Sequence, residues 1–126
     1  MSVHLDTNVL LWLSERRPNV LGAAALKLAR SQDWVISPSV ILELEILHEI
    51  KRIKATADRV LSAAGQVQNL SISKTPFAEI AEASRKLSWT RDPIDRLVTA
   101  HAIADGARLL TADGHILRHF KDAVWD

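Results

Sequence analysis

The chain has 126 residues, 48% hydrophobic and 25% charged, values that fit a single domain, residues 1–126, with one real core. A formal net charge of +1 does not mark a polyanion binder, and the lack of cysteine excludes disulfides and thiolate metal sites. That lack fits a reducing cytoplasm, and no apolar run resembles an export signal or a membrane span, so no membrane association is expected.

In chain order, Val3-His4-Leu5 predicts a first short strand. Asp6-Thr7-Asn8 then supplies helix-capping residues ahead of the apolar residues 9–13. A helix is expected over 23–30 and a strand over 34–36. Ser37 as cap and Pro38 as first helical residue start a helix expected to reach about residue 52. Further helices are expected over about 56–64, over 76–87 and over 93–104, with strands at 70–72 and 109–111. A short helix over 116–120 follows, and 123–125 adds a fifth strand at the edge. Strands alternating with helices predict an α/β domain with a mainly parallel sheet of four to five strands covered on both faces. Such sheets bind ligands outside the carboxyl ends of their strands.

Two acids fall at that edge. Asp6 directly follows the first strand, and Asp113 follows the fourth in Thr111-Ala112-Asp113-Gly114. Each also reads as a helix cap or a turn residue. Glu43 is more telling. On a helical wheel Val40, Leu44, Leu47 and Ile50 mark one apolar face, and Glu43 lies within it. A carboxylate there requires a metal ion, a buried ion pair or an opening to solvent. Asp92-Pro93-Ile94-Asp95 is a good helix start, with Asp92 as cap, yet Asp95 shares a face with Val98 and Ala102. Oxygen ligands without cysteine favour Mg²⁺ or Mn²⁺ over zinc.

Four segments together resemble the PIN-domain family in its VapC-like branch. They are His4-Leu5-Asp6-Thr7-Asn8-Val9-Leu10-Leu11-Trp12-Leu13, residues 37–43, Arg91-Asp92-Pro93-Ile94-Asp95-Arg96-Leu97, and Leu110-Thr111-Ala112-Asp113. The resemblance implies a three-layer α/β/α PIN-like fold and an endoribonuclease dependent on Mg²⁺ or Mn²⁺. It implies metal ligation by Asp6, Glu43, Asp95 and Asp113, with Asp92 as an extra acid and Thr111 and Asn8 in support. It also implies cleavage of RNA to 5′-phosphate and 3′-hydroxyl ends, a small antitoxin partner and a homodimer. The chain departs from the family in carrying Leu42 where many relatives have Trp, and Lys51-Arg52-Ile53-Lys54 without a glycine after the Glu43 helix.

Other features read more plainly. Lys51, Arg52 and Lys54 either meet phosphates or compensate the helix dipole. Arg91 and Arg96 flank the third acid and can pair with a carboxylate or a phosphate. His115 and His119 have a metal-capable spacing but read as surface residues, and His4 and His101 as core. Trp12, Trp34, Trp89 and Trp125 are scattered and read as core or interface rather than a stacking platform. Two other functions fit the same residues: a non-catalytic PIN-fold interaction module and a structure-specific DNA nuclease. A nucleotide-binding domain fits less well, because no glycine-rich phosphate loop follows the first strand.

Overall fold

A computed structural model describes residues 1–126. Five short strands form one parallel sheet: β1 (Ser2–Leu5), β2 (Asp33–Ile36), β3 (Leu70–Ile72), β4 (Leu109–Leu110) and β5 (Ala123–Val124). Their order across the sheet is β3-β2-β1-β4-β5. The chain therefore builds outward from β1 in one direction and later returns to build in the other. The gap between the carboxyl ends of β1 and β4 is a topological switch point, the usual ligand crevice of an open α/β sheet.

Seven helices surround the sheet: α1 (Thr7–Ser14), α2 (Ala23–Ser31), α3 (Pro38–Glu49), α4 (Ala57–Val67), α5 (Phe77–Ser84), α6 (Pro93–Ala104) and α7 (Gly114–His119). A 3-10 turn at Pro18–Val20, which the apolar pattern does not signal, links α1 to α2. Val3 pairs in register with Trp34, whose indole N–H donates to the Ala29 carbonyl of α2 at 2.9 Å. His4 points to the opposite face, as strand alternation requires, and meets Asp105 at the end of α6. Helices α1 and α4 pack together, as do α5 and α6, while α3 touches α1, α4 and α6. The main core gathers 20 buried apolar residues, with a smaller one of Ile80, Leu87 and Ala100 between α5 and α6.

Three helices end in the same way. After α1, α3 and α6 the chain turns through Arg16 (φ 57°), Lys51 (φ 63°) and Gly106 (φ 62°). In each case the following N–H reaches back to a carbonyl five residues earlier: Arg17 to Trp12, Arg52 to Leu47 and Ala107 to Ala102, each at 2.9 Å. This is the Schellman arrangement, which favours glycine at the left-handed position. Only α6 has it. The helix expected to reach residue 52 thus stops at Glu49, and Ile50 lies beyond its last turn with 58% of its surface exposed. The apolar face read on the wheel is real at Val40 and Leu44, both fully buried, and runs out to solvent at Ile50.

Candidate active site

The site is built by helix capping at the switch point. Asp6 leaves β1 and caps α1, with its Oδ1 accepting from the Thr7 backbone N–H at 2.8 Å. Its other oxygen accepts from the Thr111 hydroxyl at 2.7 Å. Thr111 is fully buried just past β4, and its oxygen also accepts the Asp113 N–H at 3.0 Å. Asp113 in turn caps α7, accepting from His115 and Ile116 N–H at 2.8 and 3.0 Å. Asp92 caps α6 through the N–H groups of Ile94 and Asp95 at 2.9 and 3.1 Å. Capping and site formation are here one arrangement: each short loop that ends at a cap delivers a carboxylate to the same edge.

Glu43 comes from α3, which Ser37 starts as expected by capping Ser39 at 3.1 Å. Its carboxylate accepts the hydroxyl of Thr7. Thr7 is 2% exposed, yet the sequence marks it only as one of the capping residues and gives it no place in the site. A signal was available: Thr7 lies three residues before Leu10 on the buried stripe of α1. Asn8, assigned a supporting place from the resemblance, is exposed and makes no side-chain hydrogen bond.

The electrostatics are those of unpartnered acids drawn together. Burial raises the pKa of Asp6, against the hydrogen bonds from Thr111 and Thr7, and the charges of Asp113 and Asp92 raise it further. Burial also raises Glu43, against the Thr7 hydroxyl, with Asp6 and Asp92 adding to the rise. Asp95 is pushed up to about 7, first by burial, then by Asp92, Asp6, Asp113 and Glu43. The ion pairs of the chain are His4–Asp105, Arg17–Glu15 and Arg85–Glu82, and none involves these five acids. Arg91 is exposed, and Arg96 buries its Nε without a partner, so neither neutralises Asp92 or Asp95.

These donors fit a hard divalent cation in kind: all oxygen, mutually repelling and without a basic side chain between them. As the side chains stand, no three of the acids meet closely enough to enclose one ion. Asp6, Glu43, Asp92 and Asp113 are held instead at separate hydrogen-bonded positions, as like charges prefer.

The remaining aromatic and histidine residues divide between core and rim. His4 and His101 are buried, and His101 Nδ1 lies 2.8 Å from the hydroxyl of Ser37. Trp34 is core, and Trp12 packs on Trp125 with ring centroids 5.8 Å apart. Trp89 departs from the scattered reading. It is half-buried and lies parallel to His119, planes 3° apart and centroids 5.0 Å apart. Lys51, Arg52 and Lys54 are exposed and form no ion pair. No helix is long and apolar enough to cross a membrane.

The fold has counterparts among known proteins. Over 120 residues the chain is 30% identical to Ribonuclease VapC22 of Mycobacterium tuberculosis (strain ATCC 25618 / H37Rv), covering 94% of this chain and 92% of that one. A toxin-antitoxin complex from Klebsiella pneumoniae matches with a TM-score of 0.66 and 20% identity, over 97% of this chain and 95% of the other. VapBC2 from Rickettsia felis, bound to a DNA fragment from their promoter, matches over 100% of both chains with a TM-score of 0.63 and 22% identity. VapBC-1 from nontypeable Haemophilus influenzae matches with a TM-score of 0.63 and 19% identity, over 100% of this chain and 97% of that one. The PIN domain profile spans residues 3–122, nearly the whole chain, and this protein belongs to the PIN domain family.

Proposed function

We propose that this chain is an endoribonuclease that hydrolyses RNA phosphodiester bonds with the help of Mg²⁺ or Mn²⁺, and that it is the toxin of a toxin–antitoxin pair. One observation carries the reading: five carboxylates from four separate segments act on one another at the switch point, and no basic side chain offsets them. The likeness to a relative named as a ribonuclease supports it.

Asp6, Glu43, Asp95 and Asp113 would hold the ion, with exposed Asp92 at the rim. The ion would neutralise the pooled negative charge and supply Lewis-acid activation for the displacement at phosphorus. The protein's own part is orientation. Thr111 and the Thr7 N–H grip both oxygens of Asp6, so that carboxylate is fixed before any ligand arrives. The Thr7 hydroxyl fixes Glu43 against it. Such pre-ordering removes reorganisation from the reaction. No side chain need act as nucleophile. The one Ser-His contact, Ser37 with His101, is buried and engaged in starting α3.

RNA cleavage with Mg²⁺ or Mn²⁺, compared with Asp6→Ala and Asp95→Asn, tests the proposal. The metal-supported activity should vanish in EDTA and in Asp6→Ala. Cleavage that persists through EDTA and both substitutions would defeat it. Matched RNA and DNA substrates separate an RNA from a DNA nuclease.

The partners proposed are a small antitoxin, as in the complexes of similar fold, and a second copy of the chain. Leu42, Ile46 and Ile50, at i, i+4 and i+8, leave an apolar ridge exposed along α3 and its C-cap that suits a protein contact. Light scattering on the purified chain distinguishes monomer from dimer, and pull-down from native cells reports the small partner. The proposed compartment is the cytoplasm, in keeping with the lack of cysteine.

A further inference from the structure

We propose that Trp89, His119 and His115 form a nucleobase platform beside the carboxylates, which takes an unstacked base of single-stranded RNA next to the phosphate to be cut. The inference deepens the ribonuclease reading and rests on it.

Three rings from two distant segments meet here. Trp89 and His119 lie parallel, and His115 leans on both, its ring centroid 5.5 Å from Trp89 and 5.0 Å from His119. Trp89 is the anchor: it is half-buried and packs against the edges of both hydrophobic cores. The two imidazoles are the outer layer, and both residues are exposed. Flat π faces at the surface of a nuclease match the way proteins hold splayed RNA bases, which stack on Trp and His alike.

The platform is also ordered in advance. His119 Nδ1 is 2.9 Å from the His115 carbonyl. A carbonyl can only accept, so Nδ1 carries the hydrogen, and in the neutral ring Nε2 is left as an acceptor, suited to an exocyclic amino group of a base. Ring orientation is thereby set before binding, which lowers the ordering cost of stacking.

Position ties the rings to the chemistry. The His115 backbone N–H donates to Asp113 at 2.8 Å, and Trp89 precedes Asp92 by three residues. Both halves of the platform are thus chained to site acids. Arg91 and Arg118 are exposed beside these segments and make no ion pair, leaving them free for flanking phosphates.

The test measures binding of labelled single-stranded RNA hexamers to the full-length Asp6→Asn protein, which is expected not to cleave them. His115→Ala and His119→Ala should each weaken binding about tenfold, the scale of one lost base stack. His115→Phe, which keeps a ring and discards any charge, should stay within about twofold of the parent. A hexamer with its bases removed should bind the parent and both Ala variants equally. The proposal is overturned if both Ala variants bind intact RNA like the parent, or if they weaken the base-free chain as much as the intact one. Absence of RNA cleavage by the unsubstituted protein with Mn²⁺ would instead count against the ribonuclease reading, so the two failures are distinct.

Discussion

Thr111 and Asp6, which follow adjacent strands β4 and β1, are joined by a hydroxyl-to-carboxylate hydrogen bond of 2.7 Å inside the sheet edge. The bond ties the two sides of the switch point. Thr111→Val removes the donor with little change of shape and leaves a partly buried carboxylate short of a partner. A hydrogen bond to a charged group contributes about 1.5–3 kcal/mol, so a loss of about 2 kcal/mol is expected in urea unfolding at pH 8. Thr111→Ser should recover most of it. No loss in Thr111→Val alongside a loss in Thr111→Ser would instead assign the effect to packing by the methyl group, which valine keeps.

The acids should make the metal-free protein less stable as pH rises. Asp95, Asp6 and Glu43 all have pKa values above the ordinary carboxylate range, Asp95 at about 7. Between the unfolded and folded values the native state holds more protons than the unfolded chain. Their contribution is therefore complete below the ordinary carboxylate range and is lost as pH climbs through the folded values. His4 and His101, lowered mainly by burial, act the other way as pH falls below their ordinary 6.5. Asp95→Asn isolates the acid. In EDTA it should be more stable than the parent at pH 8, with the gap closing toward pH 4. One fully buried group changes stability by at most about 1.4 kcal/mol per pH unit, and Asp95 by less because it is partly exposed. A variant less stable than its parent at pH 8 would contradict this account.

Three of the acids are also caps, which permits a clean separation of roles. Asn caps a helix about as well as Asp but carries no charge. Asp92→Asn and Asp113→Asn should therefore leave metal-free stability within about 0.5 kcal/mol, since removing the charge also relieves repulsion. Saturating Mn²⁺ should stabilise the parent, by about 2.7 kcal/mol at a hundred times the dissociation constant. Asp113→Asn should need more Mn²⁺ for the same gain, and Asp92→Asn less extra, because Asp92 lies at the rim. Thermal unfolding across a Mn²⁺ titration reads both. Unchanged titrations in the two variants would reduce these residues to capping alone.

The residues legible from sequence are those whose local chemistry narrows what the fold can do with them. Ser37-Pro38 and Asp92-Pro93 start helices wherever they occur ahead of an apolar pattern, and α3 and α6 begin there. Glu43 was legible because a charge on an apolar face calls for a reason. Thr7 was not, since a threonine after a cap has no fixed meaning until α3 brings Glu43 to it. The Trp89–His119 stack was invisible for the same reason: it joins the segment before α6 to the last turn of α7. Helix ends followed the same rule. Gly106 takes the left-handed position after α6, whereas after α3 it falls to Lys51, which carries no stop signal, so the pattern of α3 runs about three residues past the true end.

That lysine gives a last prediction. Lys51 occupies the left-handed position of its Schellman turn at φ 63°, where a side chain costs about 1–2 kcal/mol relative to glycine. Part of that strain is offset because glycine adds freedom to the unfolded chain. Lys51→Gly should therefore stabilise the protein by about 0.5–1 kcal/mol, seen as a higher urea midpoint with an unchanged slope. Arg16→Gly should act alike at φ 57°, and Gly106→Ala at φ 62° should act in the opposite sense. Lys51 is exposed, so the gain should come without loss of packing. If neither glycine substitution raises the midpoint while Gly106→Ala lowers it, then Lys51 and Arg16 gain from their side chains what their backbones lose, and salt dependence of the midpoint would show whether that gain is electrostatic.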